Sequence, residues 1–129
     1  MSDMDCSKPS SQLLVVEYRF PSLNETVASA KKHWSVYSKE KELMTQLVCM
    51  AAMRQGIQAV ERAEIGFAWY EKDRRRDPDN ISGAGKKPIL DGLVRAGVLP
   101  NDGWSVIEGL SDRFSVDRSY PRVEVTILS

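Results

Sequence analysis

Cysteine and histidine are scarce in this chain. Cys6 and Cys49 are the only two cysteines in 129 residues, one in a polar N-terminal stretch and one in an apolar helical run. That is not a disulfide framework, and a reduced, cytoplasmic protein is the expectation. The single histidine, His33, has no cysteine cluster near it. This argues against a zinc site, and His33 is read as structural. No apolar run approaches the ~20 residues of a membrane span, and the first ten residues lack the basic start and apolar centre of a signal peptide. Neither sign of charge is in excess, with 18 basic and 18 acidic side chains. An undirected polycation that coats nucleic acid is thereby excluded. A local basic patch is not, because affinity depends on where the charge sits.

What is present is an ordinary globular composition, 42% apolar and 28% charged, in a length that suits one domain with a core of its own. Residues 1–11 are polar and read as a disordered tail, leaving 12–129 as a single domain. Residues 12–20 are β-branched and aromatic, which predicts a strand ended by the turn Pro21-Ser22-Leu23-Asn24. Over 26–55 the apolar spacing becomes helical. Val27, Ala30 and Trp34 fit the face of a first segment. Leu43, Leu47, Met50 and Met53 or Arg54 fit that of a second, with Ser38 as its cap and Gly56 as its stop. Met44, Met50 and Met53 read as core packing rather than a partner-binding stripe. A strand is predicted over 58–71. A loose stretch follows at 81–85, and a helix begins at Lys87-Pro88 and closes on Gly97. Two last strands are predicted, from 104 to 108 or on to 114, and over 122–128. The order β-α-β-α-β-β predicts an α+β (mixed α/β) fold: a small mixed, mainly antiparallel sheet of about four strands with covering helices.

The chemistry concentrates in Arg74-Arg75-Arg76-Asp77-Pro78-Asp79-Asn80. In an extended backbone, residues two apart share a face, and Pro78 biases Asp77 toward that geometry. Two carboxylates side by side call for a compensating cation. Magnesium is held by one or two carboxylates with waters and substrate phosphate, and Asp102, on the turn Pro100-Asn101-Asp102-Gly103, could complete the cluster. Arg74, Arg75 and Arg76, with Lys72 beside them, suit phosphate oxygens. Lys87 stands one helical turn before Asp91 and could stabilise charge developing on a phosphate. Each piece also has a plainer reading: a turn or helix cap for Asp77 and Asp79, a solvated patch for the arginines, a surface ion pair for Lys87 and Asp91. Gly83-Ala84-Gly85-Lys86-Lys87 fails as a phosphate loop, since Asn80 stands where its first glycine belongs and Lys87 where Ser or Thr is required.

Taken in order, three stretches resemble the RusA family of Holliday-junction resolvases: 74–80, then Lys87-Pro88-Ile89-Leu90-Asp91-Gly92-Leu93, then Ala96-Gly97-Val98-Leu99-Pro100-Asn101-Asp102. The likeness extends over most of 13–128, and its specific part is 74–102. The resemblance implies a small homodimeric α/β endodeoxyribonuclease, bacterial or phage-encoded, acting in DNA recombination and repair. Such an enzyme binds four-way DNA junctions and cuts two opposed strands by phosphodiester hydrolysis with Mg²⁺ or Mn²⁺ and no small-molecule cofactor. It implies Asp77, Asp79 and Asp102 as catalytic metal ligands and Lys87, or its neighbour Lys86, as the lysine required for cleavage. Arg74, Arg75, Arg76, Lys86 and Lys87 would contact DNA, with Asp91 and Asn80 in support. The competing expectation is a DNA-binding module of the same fold without catalysis.

Overall fold

A computed structural model of the chain describes residues 10–17 and 34–129. Most of the expected tail lies outside the described residues, as do Cys6, the turn at 21–24, Val27, Ala30 and His33. The elements are β1 (Ser11–Val16), α1 (Trp34–Arg54), β2 (Ala63–Glu71), α2 (Pro78–Arg95), β3 (Ile107–Val116) and β4 (Arg122–Leu128). The element order is the one the sequence predicts, and the fold is α+β. The four strands form one mixed sheet in the order β1-β4-β2-β3. β4 is antiparallel to β1 and β2, while β2 and β3 are parallel and joined through α2, as a parallel pair needs a crossover connection.

The clean alternation of β4 is a burial pattern. Val123, Val125 and Ile127 are all but sealed from solvent, between inward residues of both neighbouring strands. Leu14, Val125 and Phe67 make one inward row, and Val16, Val123 and Trp69 the next. These rows join Val48, Ala52, Ile81, Ile89, Leu93 and Leu99 in a single core. At its other edge the sheet is closed by side chains. The Gln55 amide donates to Val15 O at 2.7 Å and accepts from Val15 N–H at 2.9 Å, doing at one residue what a further strand would do. The strand begins one residue earlier than expected, and Ser10, from the expected tail, exchanges backbone hydrogen bonds with Ser129 at 2.8 Å.

Several expectations are corrected. Ser38 caps nothing, because α1 already runs from Trp34. The buried face of α1 carries Met44, Thr45, Val48, Cys49, Ala51 and Ala52. Leu43, Met50 and Met53 are half-exposed or more, so of the three methionines only Met44 is a core residue. Small residues, not the largest apolar ones, let α1 approach α2. A Cβ on Gly92 of α2 would stand 2.5 Å from Val48 Cβ and 2.9 Å from Thr45 O. β2 begins at Ala63 rather than 58, and β3 at Ile107, so Trp104 lies in a turn and not in a strand.

The largest correction concerns α2. It starts at Pro78, nine residues before the expected Lys87, and runs unbroken through Gly83, Gly85 and Pro88. Two glycines and an internal proline oppose a helix locally. Tertiary packing overrides them. Ile81, Ile89 and Leu93 are buried, and Gly85 permits close approach, since a Cβ there would lie 2.5 Å from the Trp69 ring. Both helices end as the sequence indicates. Gly97 at φ 79° lets Val98 N–H reach Leu93 O at 2.9 Å, and Gly56 at φ 68° lets Ile57 N–H reach Ala52 O at 3.0 Å.

Candidate functional site

The parallel pair β2 and β3 ends at one side of the sheet, and the segment from Glu71 into α2 emerges there, the usual place for a ligand in sheets with parallel strands. Within it the three arginines are not equivalent. Arg76 turns back onto Glu71, with Nε at 2.9 Å and Nη2 at 2.7 Å from Oε1, both side chains largely covered. Arg75 has its backbone N–H on Asp73 Oδ1 at 3.0 Å and its guanidinium 3.7 Å from the same carboxylate, and is 88% exposed. Arg74 is exposed. A cleft of about 260 Å³ opens here between Arg74, Asp77 and Pro78 on one side and Phe114 and Val116 on the other.

Asp77 occupies the N-cap of α2 with extended backbone (φ −73°, ψ 147°), the geometry that Pro78 imposes on the residue before it. Its backbone carbonyl accepts from Asn80 and Ile81 N–H at 3.0 and 3.1 Å, while its carboxylate makes no capping hydrogen bond. Asp79 is in the first helical turn, not on an extended strand. The shared strand face expected for the two is therefore replaced by a shared helix end, where the helix dipole favours negative charge. Both carboxylates are exposed, and among the described residues no ion pair reaches either.

Asp102 is elsewhere. Its Oδ2 is 2.8 Å from Lys87 Nζ, which also stands 3.1 Å from Asp91 Oδ1. Among the described residues Asp102 does not form a metal-holding group with Asp77 and Asp79. Asn80 lies two turns before Lys87 on the same side of α2. The hydrogen bond from Lys87 draws the Asp102 carboxyl below its ordinary range, and those to Asp102 and Asp91 raise Lys87 above its own. Beside this triad a groove of about 720 Å³ runs between α1 and α2, lined by Lys41, Glu42, Asp91, Arg95 and Asp102. Lys86 points the other way, to Asp112 Oδ2 at 2.6 Å.

The chemistry of Asp77 and Asp79 fits a hard divalent cation: two oxygen-donor side chains, exposed and uncommitted, with room for water and phosphate. Asp102 would not join them as placed, and among the described residues no three acidic, His or Cys side chains gather closely enough to hold a metal. Sequence reasoning missed Trp104, which stands fully exposed on the turn after Asp102. An indole left wholly in water is uncommon, and an aromatic beside charged residues carries no periodic signal that would single it out. No helix among the described residues is long and apolar enough to cross a membrane. Comparison with the models of known protein families and with curated proteins gave no match for this chain.

Proposed function

We propose that this protein is a metal-dependent endonuclease that cuts branched DNA, resolving four-way junctions in the manner of the RusA family. The observation that carries the reading is the pair Asp77 and Asp79, exposed and, among the described residues, without an internal cation at the start of α2, with Arg74 and Arg75 beside them. Acid beside base suits a phosphate-bearing substrate: the guanidinium groups hold phosphate oxygens, and the carboxylates hold Mg²⁺ or Mn²⁺. Bound there, the metal would polarise the phosphodiester and supply an activated water. Lys87, an ammonium in the company of two carboxylates, places a positive charge farther along the same helix. Two opposed cuts call for two sites related by a two-fold axis, and hence a homodimer; light scattering that shows only monomer at working concentration would contradict this.

One observation favours a second reading. Asp102 is neutralised by Lys87 and not gathered with Asp77 and Asp79, as expected of a DNA-binding module without catalysis. Incubating a synthetic four-way junction and its linear duplex with Mg²⁺, Mn²⁺ or EDTA separates the two. Paired, metal-dependent nicks in the junction, lost in Asp79→Asn while junction binding persists, support the endonuclease. Salt-sensitive binding with no cutting under either metal establishes the binding module instead.

A further inference from the structure

Position 112 is the anomaly in the register of the sheet. The inward row that crosses the strands reads Leu14, Val125, Phe67, Asp112: three core side chains and then a carboxylate. A charge turned toward a core needs partners, because desolvation without them is costly. Asp112 has two. Its Oδ1 accepts the indole N–H of Trp69 at 2.8 Å, and its Oδ2 holds the Lys86 ammonium at 2.6 Å. Lys86 Nζ also stands 5.9 Å from the centre of the Phe67 ring.

These partners bear on α2 from two sides. Trp69 is the surface against which Gly85 seats, so the indole sets how closely the helix approaches. Lys86, ~100° around the helix axis from Gly85, is drawn to the sheet edge, a tether beside the buried face of Ile81, Ile89 and Leu93. With Lys86 engaged, Lys87, ~100° farther round, faces Asp91 and Asp102 at the solvent side.

We propose that Asp112 is a positioning residue for Lys87: by holding Trp69 and Lys86 together it locks the rotation of α2, so that Lys87 and not Lys86 is presented to the phosphodiester. The inference rests on the endonuclease reading above and decides between two adjacent lysines that the sequence leaves equivalent. Lys86 serves the lock, and Lys87 serves the substrate.

Asp112→Asn tests it, since the amide keeps an oxygen for the indole N–H and removes the charge that holds Lys86. The first readout does not need activity. In competitive acetylation with acetic anhydride, resolved by tandem mass spectrometry, the Lys86:Lys87 ratio reports how firmly Lys86 is held. Asp112→Asn raises the Lys86:Lys87 ratio by about fivefold, as expected for an ammonium released from a charge-assisted bond; an unchanged ratio overturns the lock. The second readout is junction cleavage. Asp112→Asn lowers kcat by about tenfold at unchanged KM, and adds nothing further to the residual rate of Lys87→Met, because a residue that acts through another is non-additive with it. Losses that multiply in the double variant overturn the positioning role. Lys86→Met removes the same ion pair from the helix side and gives the same Lys87-dependent loss, which keeps the test decisive if Asp112→Asn does not fold. A wild-type protein that cuts no junction overturns the endonuclease reading, and the acetylation ratio then decides the lock by itself.

Discussion

Two acidic groups lie on α2 and its flanks, and they differ in what neutralises them. At the helix start, Asp77 and Asp79 face solvent with no ion pair among the described residues. Around the middle of the helix, Asp91 and Asp102 share the ammonium of Lys87. The residue type is the same in both, yet only the first leaves its charge for a cation from outside. Carboxylates are available for metal chemistry where the fold withholds an internal counter-charge, and sequence spacing does not reveal which ones those are.

The comparison can be broken most severely at its available end. Asp79→Asn is expected to lower metal-dependent junction cleavage by about 100-fold or more, while junction affinity stays near that of the wild type, since a ligand to the catalytic metal acts on the reaction step. Equal rates for variant and wild type would remove the endonuclease reading. Next comes the packing that holds both groups on one helix. Gly92→Val is expected to destabilise the fold by ~1–3 kcal/mol or more in urea unfolding, because the added atoms must displace Val48 and the Thr45 carbonyl. A fully exposed Trp104, near the neutralised group, should contribute to binding and not to folding. Trp104→Ala is expected to weaken DNA binding by ~1–3 kcal/mol through a lost base-stacking contact, with an unaltered melting temperature; undiminished affinity would leave that indole without a role in DNA recognition.

Lys87→Met would make the two groups alike. Asp91 and Asp102, without their ammonium, are expected to take up Mn²⁺ as an additional weak site in an isothermal titration, and an unchanged stoichiometry would show that the pair is too far apart to share an ion. The smallest effect is that of pH. Asp102 titrates below its ordinary value of 3.8 because of the hydrogen bond from Lys87, and Lys87 above its ordinary 10.5 because of those to Asp102 and Asp91. The lowered carboxyl contributes stability that is present above pH 3.8 and fades as pH falls through its folded value. The raised ammonium contributes stability that is present below pH 10.5 and fades as pH rises through its own. The tie thus spans the neutral range. A carboxyl-carbon NMR titration that places Asp102 at or above an unfolded aspartate would contradict it. Because Lys87 is more than half exposed, the effect on overall stability is slight.

The legible parts were those in which local pattern and tertiary demand coincide. β4 alternates because one side faces the core, and Gly56 and Gly97 stop their helices because the chain must enter the left-handed region there. The illegible parts were those in which packing opposes propensity. Gly83, Gly85 and Pro88 signal a loop, but Gly85 is the point at which α2 touches Trp69, and the helix runs through all three. On α1 Leu43, Met50 and Met53 lie outward while Ala51 and Ala52 lie inward beside Met44 and Val48, since the distance to α2, and not hydrophobicity alone, selects the buried face.

The sequence by itself determined the order of the elements, the C-terminal ends of the helices and the identity of the charged residues worth placing, because these follow from near-neighbour sterics and from the periods of helix and strand. Tertiary structure alone decided that Asp77 and Asp79 stand at a helix start, that Asp102 answers Lys87, and that Lys86 turns to Asp112. Those outcomes depend on the rotation of α2 against the sheet, and that rotation is fixed by contacts between residues far apart in the chain.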